Sequence, residues 1–91
     1  MALIAAARSG NAAEVRRLAD VNVRGADGRT PLHWAARNGH VEVLRTLAEL
    51  GADVHAQSES GQTPLHHAAS KGHVEAARTL VELGADVYAE D

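Results

Sequence analysis

The chain has no cysteine and no phenylalanine, and its only aromatic rings other than histidine are those of Trp34 and Tyr88. Without cysteine, neither a disulfide nor a thiolate metal site can staple the fold, and nothing points to an oxidising compartment; a cytoplasmic or nuclear setting is the expectation. No stretch approaches the roughly 18 apolar residues that a membrane-spanning helix needs. The opening MALIAAARSG is apolar only briefly and has no basic residue ahead of its apolar run, so no secretory signal is expected. Lys and Arg are nowhere interleaved with aromatics, which leaves nucleic-acid binding without its usual signature. The expected partners therefore include neither a nucleic acid nor a membrane.

Catalytic signatures are missing too. No Ser sits with a base, no glycine-rich loop precedes a helix in phosphate-binding form, and the acids are spread rather than convergent, so the chain reads as a non-enzyme with no cofactor. Six histidines raise the question of a metal. His33 and His66 recur in the same TPLH context, where the imidazole can bond the Thr30 or Thr63 hydroxyl and nearby backbone. Equivalent copies on neighbouring helices stand about 10 Å apart, too far to share a zinc ion held at about 2 Å. No metal site is expected.

With 91 residues the chain is one domain at most, and a domain of that size removes only about 60–65% of its extended-chain surface from water, so packing must be efficient. The net charge of −3 is unevenly spread: residues 1–30 carry five Arg against three acids, residues 31–60 two Arg against four acids, and residues 61–91 one Lys and one Arg against five acids. One end is mildly basic and the other acidic.

What the chain does contain is a repeat. Residues 20–52 laid on 53–85 are identical at 20 of 33 positions. Periods of this size mark stacked arrays. Within the unit GRTPLHWAARNGH, Gly28 suits a tight turn, Thr30 a helix N-cap and Pro31 the first helical position. Leu32, Ala35 and Ala36 form a narrow stripe of apolar residues, and Asn38-Gly39 ends the helix. A second helix follows from Val41, with Val41, Leu44, Leu47 and Ala48 as its expected buried stripe and Glu42, Arg45, Thr46 and Glu49 as its expected wet face, linked by charge pairs along the helix. After Gly51, ADVHAQSESGQ reads as an extended arm turning back near Ser60-Gly61. The third copy repeats each step through Thr63, Pro64, Leu65, Ala68, Ala69 and Gly72, then Val74, Ala77, Leu80, Val81 and Gly84.

The string G-x-TPLH-x-AA-x-x-GHVE…L…LGADV at this period resembles the ankyrin repeat, over essentially the whole chain. The resemblance implies an all-α solenoid of stacked antiparallel helix pairs with hairpin-like loops projecting from it. The expected organisation is a single domain, 1–91, with a shortened N-terminal repeat at 1–23, a central repeat at 24–56 and a C-terminal repeat at 57–91 that ends without a capping repeat. In the first repeat a helix over Leu3–Arg8, a break at Gly10 and a second helix from about Ala12 are expected. Four residues are missing between Leu18 and Asp20 relative to the central copy, about one helical turn. Family members usually carry Asp three residues before the turn glycine; Gly25 and Ser58 stand there instead, which predicts weaker hairpin hydrogen bonding.

Framework positions are set by folding, so recognition falls to positions that differ between copies. These are Arg24, Asp27, Arg29, Trp34, Arg37 and Asn38 in one copy and Gln57, Glu59, Ser60, Gln62, His67, Ser70 and Lys71 in the next. By resemblance they lie on the concave face on which ankyrin proteins bind partners, and Trp and Arg are common interface anchors. The expected function is a non-catalytic module binding another protein. The alternative is a self-assembling structural unit, or a truncated or engineered array, that homo-oligomerises, a homodimer in the simplest case, through an apolar C-terminal face around Leu80, Leu83, Val87 and Tyr88. By resemblance, Asn22 in LADVN is similar to the residue that asparaginyl hydroxylases modify in ankyrin loops.

Overall fold

The computed structural model of the chain describes residues 2–17 and 21–88. Its helices are α1 (Ala2–Ser9), α2 (Ala12–Arg17), α3 (Pro31–Arg37), α4 (Val41–Glu49), α5 (Pro64–Ser70) and α6 (Val74–Glu82), with a short 3₁₀ turn at Ala26–Gly28. Consecutive helices pair as α1–α2, α3–α4 and α5–α6; α3 lies between α1 and α5, and α4 between α2 and α6. The result is two layers, an inner one of α1, α3 and α5 and an outer one of α2, α4 and α6. Among the described residues there is no strand. The shortening expected between Leu18 and Asp20 lies outside the described residues.

Local chemistry sets the helix starts. Thr30 is extended (φ −91°, ψ 168°), and its hydroxyl accepts the His33 N–H while the His33 ring accepts the Thr30 N–H, closing a capping box in which histidine takes the place usual for Glu or Gln. Because Nδ1 accepts from Thr30 N at 3.0 Å, Nε2 carries the proton and donates to the Gln62 carbonyl of the next repeat at 2.8 Å. One imidazole thus caps its own helix and ties two repeats together. Thr63 and His66 make the same box.

Between the helices of a pair, Gly39 adopts φ +71° and receives the His73 imidazole of the next repeat; a Cβ there would lie 2.8 Å from Nδ1. Gly10 receives His40 in the same way, also at 2.8 Å. The glycine is needed twice over, for its left-handed backbone and for the space above it.

The core runs through Leu3, Ala7, Val15, Leu32, Ala36, Leu44, Leu47, Ala68, Ala76 and Leu80, all buried. Two expectations for the outer helices need correction. Thr46, placed on the wet face, is buried, as is its equivalent Thr79, whose hydroxyl donates to the Glu75 carbonyl at 2.8 Å. Ala76 and Thr79 are buried in α6, which packs only on α5 and α4, so the flank to which Val43 and Thr46 belong is buried without any following helix pair. Conversely Val74 and Val81, placed in the buried stripe of the third copy, are 64% and 43% exposed. They sit on the flank that in α4 is covered by the following repeat. In α4 the charge pairs run differently, Arg45 to Glu82 and Glu49 to Arg16, from one outer helix to the next, whereas Arg17–Glu14 and Arg78–Glu75 run along their helices as expected.

The hairpin loops are closed despite lacking Asp. Gly25 N–H donates to Arg29 O and Ser58 N–H to Gln62 O, both at 2.9 Å, and the buried Ser58 hydroxyl accepts the Gln62 N–H at 3.3 Å. Gly25 also has a packing reason: a Cβ there would lie 2.7 Å from the Ile4 side chain.

Candidate interaction surface

The inner layer presents one side to solvent, with Trp34 near its middle. Trp34 is half-buried, and three guanidiniums stand around its ring: Arg8 from the end of α1 at 4.6 Å, Arg29 from the loop before α3 at 5.2 Å and Arg37 from the end of α3 at 5.5 Å. Such contacts contribute about 0.5–1 kcal/mol each where exposed. The indole is thus held in an orientation rather than inserted in the core. Arg8 was not among the residues singled out from the sequence. The signal was present, because aligning Gly10 with Gly39 puts Arg8 on Arg37.

Next to this cluster, Arg29, Arg37, Gln62, His67, Ser70 and Lys71 line a hollow of about 210 Å³. The structure therefore gathers Arg29, Trp34, Arg37, Gln62, His67, Ser70 and Lys71 into one continuous area. His67 needs correction as a contact residue: it is 7% exposed, its ring meets His33 edge to face at 5.2 Å, and its Nε2 is buried with no hydrogen-bond partner among the described residues. Burial first, and then the charges of His33, Arg29, Arg37 and His66, lower its pKa to about 4. His33 is lowered as well, chiefly by burial.

The other candidate contact residues divide by role. Arg24 spends its guanidinium on two carbonyls, Gly28 O at 2.7 Å and Gln57 O at 2.8 Å, bracing one loop against the next. Asn38 donates to Arg8 O at 2.9 Å, a second inter-repeat strut. Asp27, Gln57, Glu59 and Ser60 are exposed at the loop tips, where Glu59 N–H donates to Asp27 O and the Ser60 hydroxyl meets that of Ser58. Asn22 is exposed, and its Oδ1 accepts the Asp53 N–H at 3.0 Å.

On the opposite end of the array, Leu80 is fully buried and is not available for self-association. Its side chain belongs to the hydrophobic core, which the helical spacing alone did not separate from the outer flank. Leu83 is half-buried, whereas Val87 and Tyr88 are 56% and 87% exposed. The open apolar face consists instead of a shallow groove lined by Ala69, Gly72, His73, Val74, Ala77, Arg78 and Val81. Among the described residues no cluster of three or more His, Asp or Glu side chains could hold a metal, and no helix is long and apolar enough to cross a membrane.

Three stacked helix pairs, tied by a capping histidine and an interhelix glycine at a fixed period, define a helical repeat array. The family model of ankyrin repeats in three copies matches residues 3–91, and the chain belongs to the ankyrin-repeat family. It is similar to a palmitoyltransferase, AKR1, of Yarrowia lipolytica, 46% identical over an aligned stretch of 55 residues, with 55% of this chain and 8% of that protein covered. The match thus covers a small part of the relative. Ankyrin repeats generally mediate protein–protein interaction, and the repeat domain itself is non-catalytic.

Proposed function

We propose that this array binds another protein across the exposed side of its inner helices, with Trp34 and the arginines around it as the anchor and the loop tips as flanking contacts. The observation that carries the reading is the half-buried indole with Arg8, Arg29 and Arg37 against it. A pre-oriented Trp–Arg cluster loses little entropy on binding and is the residue combination that dominates interface energetics. Immobilised chain and a W34A/R37A variant, presented to the same extract, test it. The variant should lose its captured partner by about 30-fold or more, the factor that corresponds to a hot spot of about 2 kcal/mol, with helicity unchanged. Equal capture by both contradicts the reading.

A second reading is favoured by the groove on α5 and α6. Gly10 and Gly39 each hold an imidazole of the following repeat, but nothing lies within 4 Å of a Cβ built on Gly72, and Val74 and Val81 stand exposed beside it. A second copy of the chain paired face to face about a two-fold axis would cover this surface and close. Light scattering over a concentration series, with V74K/V81K as the control, tests the pairing: a concentration-dependent dimer lost in the variant supports it, and a monomer throughout contradicts it.

A further inference from the structure

The charges of the protein are sorted by layer. The inner helices contain no Asp or Glu. Every arginine of the outer helices is matched by a glutamate: Arg16 with Glu49, Arg17 with Glu14, Arg45 with Glu82 and Arg78 with Glu75. On the inner side Arg8, Arg29, Arg37 and Lys71 make no ion pair among the described residues. Although the chain is acidic overall, this one surface is cationic.

The geometry focuses that charge. Three guanidiniums share a single indole, and like charges held so close repel one another until an anion joins them. Arg29 and Arg37 then continue, with Lys71, into the neighbouring hollow, where Ser70 and Gln62 add polar groups and the buried His67 forms part of the wall. With its pKa lowered to about 4, His67 is neutral at pH 7, so the field in the hollow belongs to the arginines and the lysine. The loop side is bounded by the exposed acids Asp27 and Glu59. An anionic segment is therefore laid along the helices, with the loop tips left to the rest of the partner.

We infer that the ligand of this face is an acidic linear segment of a partner protein, its Asp or Glu side chains seated among Arg29, Arg37 and Lys71 and extending past Trp34 to Arg8. The inference rests on the protein-binding reading and supplies the chemistry of the partner. Carboxylates match the planar fork of arginine, which takes them in bidentate fashion. A single-stranded nucleic acid fits less well, because it needs successive aromatic platforms for its bases, and here the one indole is already flanked by guanidiniums.

Trp34 is the only tryptophan, so its emission reports the site directly. The probes are a synthetic Asp/Glu-rich peptide of about twelve residues, its Asn/Gln counterpart and an oligothymidylate of similar length, a site size within the usual range for single strands. The acidic peptide should change the emission saturably. Its affinity should fall about tenfold in Arg29→Gln or Arg37→Gln, and should fall again when salt rises from about 0.05 M to about 0.3 M and shortens the screening length. Arg45→Gln, on the outer layer, should leave affinity unchanged, and circular dichroism should show equal helicity for all variants. Equal binding of the Asn/Gln peptide, an equal loss in Arg45→Gln, or tighter binding of the oligothymidylate overturns the inference. If the acidic peptide fails to bind while partner capture still depends on Trp34, the acidic segment is refuted and the protein-binding reading stands. If capture is indifferent to Trp34 as well, both fall.

Discussion

Acid should destabilise the protein through His67, and His67→Phe should remove most of that sensitivity. The imidazole is 7% exposed, and its pKa is lowered from 6.5 to about 4. The sign follows from proton counting. In the unfolded chain the ring takes up its proton near pH 6.5, whereas in the folded chain it resists until about pH 4. The unfolded state therefore binds more protons between those values, and stability, complete above about 6.5, is lost as pH falls towards 4. For this one group the loss is about 2 kcal/mol at pH 5 and about 3 kcal/mol at pH 4. For a domain of this size, 2 kcal/mol lowers Tm by roughly 8–16 °C. His33, lowered in the same direction by burial, adds to the effect. Phenylalanine cannot titrate, keeps a ring against His33 and removes the unpartnered Nε2, so at pH 7.5 the variant should be as stable as the parent or about 1 kcal/mol more so. Urea unfolding followed by circular dichroism at pH 7.5, 6 and 5 measures this. If parent and variant lose stability in parallel between pH 7.5 and 5, His67 is not the group responsible and the argument from its burial is wrong.

The interhelix glycines should separate backbone strain from packing. Gly72→Ala, at φ +74° with open space above it, should cost about 1–2 kcal/mol from its left-handed backbone alone, whereas Gly39→Ala, with His73 Nδ1 at 2.8 Å, should cost clearly more, read from the urea midpoints of the two variants. Thr63→Val removes the hydroxyl half of the capping box and should destabilise by about 1 kcal/mol, with α5 losing amide protection first. Leu80→Ala opens a cavity in the core at a fully buried position and should cost about 2–5 kcal/mol. The half-exposed Arg45–Glu82 pair, by contrast, should be worth under about 1 kcal/mol in a double-mutant cycle.

The inner helices were readable from the sequence because their signals are local. Thr, Pro and Gly at fixed offsets specify a start and a stop without reference to anything distant, and Thr30–Pro31 and Thr63–Pro64 open α3 and α5 where that grammar puts them. The outer helices were read less well, because burial there depends on neighbours. Val41 and Val74 are equivalent in sequence, yet Val41 is half-buried and Val74 is 64% exposed; only the presence of a following helix pair separates them. Thr46 was misplaced for another reason: its equivalent Thr79 is buried without a following helix pair, so the buried face of an outer helix is wider than the single stripe read from the sequence. At the surface, differences between copies pointed to Trp34, Arg29 and Arg37 but also to Arg24 and Asn38, whose polar groups are occupied by backbone carbonyls. Composition cannot tell a strut from a free cation. Arg8 was passed over because it lies in the short first repeat, where the 33-residue period does not reach and only the 29-residue offset through Gly10 finds it.

Amide chemical-shift mapping of the isotopically labelled chain, on adding its captured partner, most directly tests whether the inner-helix side is the working surface. Perturbation should concentrate around Arg8, Arg29, Trp34, Arg37, Ser70 and Lys71 and fade across α2, α4 and α6. Shifts gathered instead along Val74, Ala77 and Val81, or spread over the outer helices with Trp34 unmoved, would contradict the account.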